Sequence, residues 1–242
     1  MRLALASLLV ALPLHAAELS IPATAALDLG GGSLALACAD LTVDGELRVG
    51  SGTLDEAHDV SGAGTLHGES GTLHVTGDWG PPAPSLVGGS GTVAFVDGCG
   101  ETLATVHGSS TFATLRFESQ TGKEYRLAAG TTQTASVFAI EGGGPGNRVV
   151  LRSDASGVDA YLDVGSSSGS HLDVDDVDGV GNTILVGAGA WIGPNAMNWL
   201  KAIGVPALGA WGGLALPLAL AVFGARRLRA SRRAPGSPCA GT

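Results

Sequence analysis

The chain has 242 residues, with 22 acidic against 13 basic side chains, a formal net charge of −9 and 39 glycines. All the acids and only seven of the bases fall between residues 18 and 202, so that stretch carries a formal charge of −15. Such a surface repels nucleic acid and anionic lipid, and both are excluded as its partners.

Residues 1–17 read as a secretory signal peptide. Met1-Arg2 gives a positive start, Leu3 to Leu14 an apolar run, and His15-Ala16-Ala17 small residues for cleavage. The run is too short to cross a bilayer, which takes about 20 apolar residues.

From Glu18 on, the pattern is that of an all-β protein. Leu34-Ala35-Leu36-Ala37-Cys38, Leu41-Thr42-Val43, Leu47-Arg48-Val49, Leu73-His74-Val75 and Val93-Ala94-Phe95 alternate apolar with small or polar residues, the period of half-buried strands. Gly, Asp and Ser punctuate them as turns. Leu36, Leu47, Leu54, Leu73, Val75, Val93, Phe95, Phe117 and Leu151 are the expected inward residues. Ser51-Gly52-Thr53-Leu54, Ser70-Gly71-Thr72-Leu73 and Ser90-Gly91-Thr92-Val93 repeat with threonines 19 and 20 residues apart, and Gly64-Thr65-Leu66 is an off-register copy. That period predicts a parallel β-solenoid, right-handed, one coil per repeat; a Greek-key sandwich is the competing architecture. Residues 18–105 form its first part and 106–200 its second. Gly77-Asp78-Trp79 and Pro81-Pro82-Ala83-Pro84 are expected as a surface bulge on an edge, because proline cannot donate to a ladder.

Cys38 and Cys99 both fall in the exported stretch, where disulfides persist; Cys239 lies beyond the tail arginines. The 61 residues between Cys38 and Cys99 would fill three uniform coils, about 14 Å of stacking at ~4.8 Å per strand. A disulfide needs Cα atoms within about 7 Å. Either the coils are irregular and the two are bonded, or both are small buried hydrophobes.

Other candidates for chemistry are weak. The run His171-Leu172-Asp173-Val174-Asp175-Asp176-Val177-Asp178-Gly179 resembles calcium loops in outline, without their spacing or closing Glu. Its other reading is a strand with Leu172 and Val174 inward, Asp173 and Asp175 in solvent, and a turn at Asp178-Gly179. His58, His67, His74, His107 and His171 are scattered and have no zinc-protease spacing; His67 and His74 are candidates to line one face in adjacent coils. Gly165-Ser166-Ser167-Ser168-Gly169-Ser170 reads as a flexible loop and Gly142-Gly143-Gly144-Pro145-Gly146 as a turn. No catalytic residue, cofactor or metal ligand is assigned, and the chain is read as a non-enzyme. A β-helical carbohydrate-active enzyme and a calcium-dependent binding module are the alternatives.

Residues 203–233 begin with a hydrophobic stretch, and no residue between Lys201 and Arg226 is charged. That is long enough for one transmembrane helix, and Arg226, Arg227, Arg229, Arg232 and Arg233 place its end in the cytoplasm. Val205-Pro206-Ala207-Leu208 followed by Trp211-Gly212, the apolar run and the arginines resembles the IPTL-CTERM sorting signal, a relative of PEP-CTERM. Val205, Ala207 and Ala210 depart from that pattern; Pro206, Leu208, Trp211 and Gly212 match it. The resemblance implies an exosortase-type membrane protease as partner and passage through a single-span inner-membrane form to the cell surface. A plain anchor is the alternative. Residues 35–199 resemble stretches of bacterial β-helical surface proteins, in Gly91-Thr92-Val93-Ala94-Phe95, Ser110-Thr111-Phe112-Ala113-Thr114-Leu115, the run from Tyr125 to Thr134, Val149-Val150-Leu151-Arg152-Ser153 and Asn198-Trp199. This likeness implies a stacked β architecture and an exported structural or adhesive role; a matrix role and extracellular polysaccharide as a partner are further candidates.

Overall fold

The structure, a computed structural model, describes residues 18–202. The signal peptide and the tail, with their expected helices, lie outside the described residues. Every element among these residues is a strand and every ladder is parallel. The strands stack as a β-solenoid of about eight turns.

The first three coils have three faces. Coil one holds β1 (Glu18–Ile21), β2 (Ala26–Asp28) and β3 (Ser33–Ala35). Coil two holds β4 (Asp40–Val43), β5 (Glu46–Arg48) and β6 (Thr53–Ala57), and coil three β7 (Val60–Ser61), β8 (Thr65–Glu69) and β9 (Thr72–Val75). The repeat sets their register directly. Thr53 pairs with Thr72 and Thr72 with Thr92, so Leu54, Leu73 and Val93 stack in one buried column. The off-register Thr65-Leu66 stacks on the second face, where Leu66 sits over Leu47. Each buried Leu or Val contributes about 1.5–3 kcal/mol. Corners are tight: at Gly50, with φ of +66°, a Cβ would lie 2.0 Å from the Gly30 carbonyl oxygen of the coil below, a position only glycine fills.

Coil four departs from the expected bulge. Its first-face rung is Trp79 alone, fully buried and bridged to Val60 on one side and Val106 on the other. Pro81 and Pro82 are exposed as expected, but Pro84 is buried. The indole has nowhere apolar to go except the core, and it pulls the chain in ahead of the prolines. β10 (Ser85–Gly89) and β11 (Thr92–Phe95) complete the coil.

Beyond β12 (Leu103–Val106) the coil changes shape. The second face is lost and the third is lengthened into β13 (Thr111–Ser119). The next coils pair β14 (Glu124–Leu127) with β15 (Thr132–Gly142) and β16 (Val149–Ser153) with β17 (Ala160–Ser170). The rung spacing grows accordingly, from Thr92 to Thr114 to Val137 to Ser166. β18 (Leu172–Val174), β19 (Val177–Val180), β20 (Ile184–Val186), β21 (Trp191–Ile192) and β22 (Trp199–Lys201) end the stack.

Three expectations are corrected here. The Ser-rich run Gly165 to Ser170 is the second half of β17, laddered to Val137 through Glu141. Its residues are small because a Cβ at Gly165 would meet the Ser136 carbonyl oxygen at 2.7 Å and one at Gly169 would meet Ile140 Cγ2 at 2.7 Å. Asp178-Gly179 is strand, not turn; the chain turns at Asp176, whose φ is +55°. Leu36 is only half-buried, since coil one has no described coil beneath it. The other expected inward residues are buried.

Aromatic side chains concentrate from coil four onward. Phe95 stacks on Phe117 at 5.1 Å between centroids, Trp79 meets Phe95 edge-on at 6.3 Å, and Phe138 links Phe117 to Trp199 at 6.2 Å on each side.

Candidate functional site

The chemically densest part of the described surface is the corner between the third and first faces. Asp40, Asp59 and Asp78 recur there at the same place in successive coils. Asp40 Oδ1 accepts the Asp59 N–H at 3.3 Å, Asp59 Oδ1 the Asp78 N–H at 2.7 Å, and Asp78 Oδ1 the Thr105 N–H at 2.6 Å. Each carboxylate brackets its coil to the next. A Cβ at Gly77 would lie 2.1 Å from Asp59 Oδ1, so glycine there lets the bracket close.

His58 stands beside this column. Its Nδ1 is 2.9 Å from Asp40 Oδ1 and 3.8 Å from Asp59 Oδ1, and its Nε2 is 3.5 Å from Glu101 Oε1. Burial alone would lower its pKa. The hydrogen bond to Asp40, the charge of Asp59 and Asp40, and the contact with Glu101 outweigh that and raise it. One ligand-type atom from each of Asp40, His58 and Asp59 lies within 4.8 Å of the others. A cavity of about 250 Å³ opens alongside, lined by His58, Asp59, Gly77, Asp78, Glu101, Leu103 and Thr105. Asp40 Oδ1 is already engaged by His58 and by the Asp59 amide, so the group is built first as a hydrogen-bonded brace.

The disulfide holds this brace from outside. Cys38 and Cys99 are bonded, with Cα atoms 5.5 Å apart. The uniform-coil objection fails because the corner between β11 and β12 is long: residues 96–102 double back along the stack. Cys99 Sγ lies 3.0 Å from Thr76 Oγ1 one corner down, Glu101 reaches His58 two corners down, and Cys99 meets Cys38 three corners down.

Lys123 anchors the root of the same loop. Only 1% exposed, it donates through Nζ to the Thr76 carbonyl and, at 3.3 Å, to the Val96 carbonyl, and lies 5.5 Å from the Tyr125 ring centroid. Burial lowers its pKa against the pull of Asp97, Glu101 and Asp78. Nothing in the pattern flagged it, although Lys123, Tyr125 and Leu127 share one phase of the alternation.

The other candidates resolve into similar structural uses. In the acidic run, Asp173 pairs with Arg152 at 2.5 Å. Asp175 Oδ1 accepts the Asn195 N–H at 3.0 Å, Asp178 Oδ1 the Met197 N–H at 2.7 Å, and Asp176 Oδ1 the Asn195 side-chain amide at 3.1 Å. Asp173 and Asp175, expected in solvent, are half-buried, and Asp176 and Asp178 are buried. His67 and His74 sit in the same coil on different faces, correcting their expected alignment. His67 pairs with Glu46 at 2.9 Å and His74 with Asp55, each a carboxylate of the coil below. Val205, Pro206, Ala207, Leu208, Trp211, Gly212, Arg226, Arg227 and Arg229 lie outside the described residues. Comparison with protein-family models, with curated proteins and with solved structures finds no match.

Proposed function

We propose that this chain is an exported bacterial surface protein with a structural, adhesive or matrix role. In this reading its β-solenoid is right-handed, as nearly all parallel crossovers are, and it is presented outside the cell by the tail 203–233. An exosortase-type protease releases it from a single-span inner-membrane form. The observation that carries the reading is the Cys38–Cys99 bond, which belongs to an oxidising compartment and fits the signal peptide ahead of it. The engagement of the corner carboxylates with backbone amides adds support: they hold coils together and are not arrayed with Arg or Lys around an open substrate face.

The deciding experiment is mature mass and membrane fraction in the native host. Changing Pro206 and Leu208 together to Ala leaves the hydrophobic run nearly intact, so insertion should persist. Cleavage should fail and the full-length form should accumulate in the membrane. Wild-type protein that itself stays full length in the membrane would make the tail a plain anchor.

A further inference from the structure

The second face of the solenoid stops in mid-stack. Its order is β10-β8-β5-β2, with nothing among the described residues laddered to the far side of β10, while the first face resumes through Trp79 and the third continues to β19. The Ser85 N–H bonds back to the Gly64 carbonyl at 2.9 Å. Strand alternation therefore turns the N–H and C=O of Leu86 to the open side, before the backbone leaves the extended conformation at Gly88 and Gly89, whose φ values are +68° and +85°. Sheet edges of this kind are normally blunted by charge, proline or a bulge. The extended part of β10, Ser85-Leu86-Val87, carries no charge or proline of its own; Pro84 precedes it and the left-handed Gly88 and Gly89 end it.

Above this edge lies a notch of about 230 Å³. Its floor is the top of the core: Leu66, Val93 and Phe112 are almost wholly buried, and Leu86 is partly open. The opposite wall is the start of β13, where Thr111 is exposed. Among the described residues, no charged one lines it. At Gly88 a Cβ would find nothing within 4 Å, so the edge is accessible at backbone level.

We propose that the β10 edge and its notch accept an extended, uncharged polypeptide segment as an added strand. The occupant is specified by hydrogen-bond complementarity and by continuity of the ladder. The unpaired peptide groups of the edge at Leu86 are matched by another peptide backbone, and the missing rung of a parallel sheet defines its direction. The extended residues Ser85 to Val87 set its length, the same as the three-residue rungs β2 and β5 lower on this face. Every second side chain points into the notch over Leu86 and is aliphatic; the alternate ones face solvent.

The test uses the full-length chain in detergent and a fluorescent synthetic peptide copying residues 84–90, the rung that the slot would repeat. Fluorescence anisotropy should show saturable binding. In a parallel repeat of the ladder, the amides at the Ser85 and Val87 positions of the peptide face β10. N-methylating those two should weaken binding about tenfold or more, while N-methylating the Leu86 position should have little effect. Thr111→Arg, at an exposed wall position, should block the slot. Absence of binding overturns the proposal. Binding indifferent to the pattern of N-methylation also overturns it, and makes the notch a cavity for apolar small molecules; this comparison needs no altered protein.

Discussion

Asp78 both donates and accepts across coils: its N–H bonds Asp59 Oδ1 at 2.7 Å, and its own Oδ1 takes the Thr105 N–H at 2.6 Å. The second bond spans the widest step of the column, because β12 follows the long corner of residues 96–102. Asp78→Ala leaves the Thr105 amide without that acceptor and should cost about 1–3 kcal/mol. Asp78→Asn retains a carbonyl oxygen there and should cost less. Urea midpoints measure both, and equal losses would mean that the bracket contributes nothing.

Cys38 and Cys99 join two corners that lie three coils apart. Closing a 61-residue loop lowers the entropy of the unfolded chain by an amount worth about 4 kcal/mol in the chain-entropy model. Reduction, or Cys38→Ala with Cys99→Ala, should lower the thermal midpoint. Amide exchange should rise first in residues 96–102, which the bond holds against the corner. An unchanged midpoint after verified reduction would show that Lys123 and the Asp column hold that loop unaided.

His58 makes the fold pH-sensitive. Its pKa is raised in the folded state: burial opposes the charge, but Asp40, Asp59 and Glu101 together outweigh it. A raised base stabilises the fold when protonated. Its contribution is complete below the ordinary histidine value of about 6.5 and is lost as pH rises through the folded value. Wild-type stability should therefore fall through that window, and His58→Gln should flatten the fall. Parallel wild-type and mutant profiles from pH 5 to 9 would assign the slope to other groups.

The repeat was readable because its period equals one coil wherever corners are short. Thr53, Thr72 and Thr92 stack as their spacing implies, and the alternation around them finds the Leu54–Leu73–Val93 column. What escaped sequence reasoning comes from competing local signals. Prolines beside Trp79 suggest a loop, yet burying an indole outweighs that signal. The Ser-Gly run looks flexible, but small side chains are what the crowded ladder to β15 requires. The disulfide was hidden by the assumption of equal corners. Asp175, expected in solvent, accepts an amide of the neighbouring coil, and Asp40, Asp59 and Asp78, which drew no expectation, do the same; such contacts are visible only once coils are stacked, and the 19-residue spacing of those three was the available signal.

Phe95 tests whether the aromatic ladder couples the two coil shapes. It is the last residue of β11 and fully buried. It stacks on Phe117 in the lengthened coil above, meets Trp79 in its own coil, and lies 6.2 Å from the Tyr125 ring. Its carbonyl also accepts the Tyr125 hydroxyl at 3.1 Å. Phe95→Ala removes these packing contacts and leaves a cavity, at a cost of about 3–5 kcal/mol. Coils in a solenoid contact only their neighbours, so stability is carried by interfaces between them. A defect at the junction should therefore do more than lower the midpoint. It should separate the unfolding of the three-faced coils from that of the two-faced coils. Tyr125→Phe keeps the ring, loses the hydroxyl bonds to the Phe95 and Glu118 carbonyls, and should cost about 1 kcal/mol without separating them. Urea unfolding followed by amide exchange on residues 40–75 and 124–170 distinguishes the two. If Phe95→Ala still unfolds in one step with both segments exchanging together, the ladder is not the coupling element and the backbone brackets at the Asp corner carry the cooperativity.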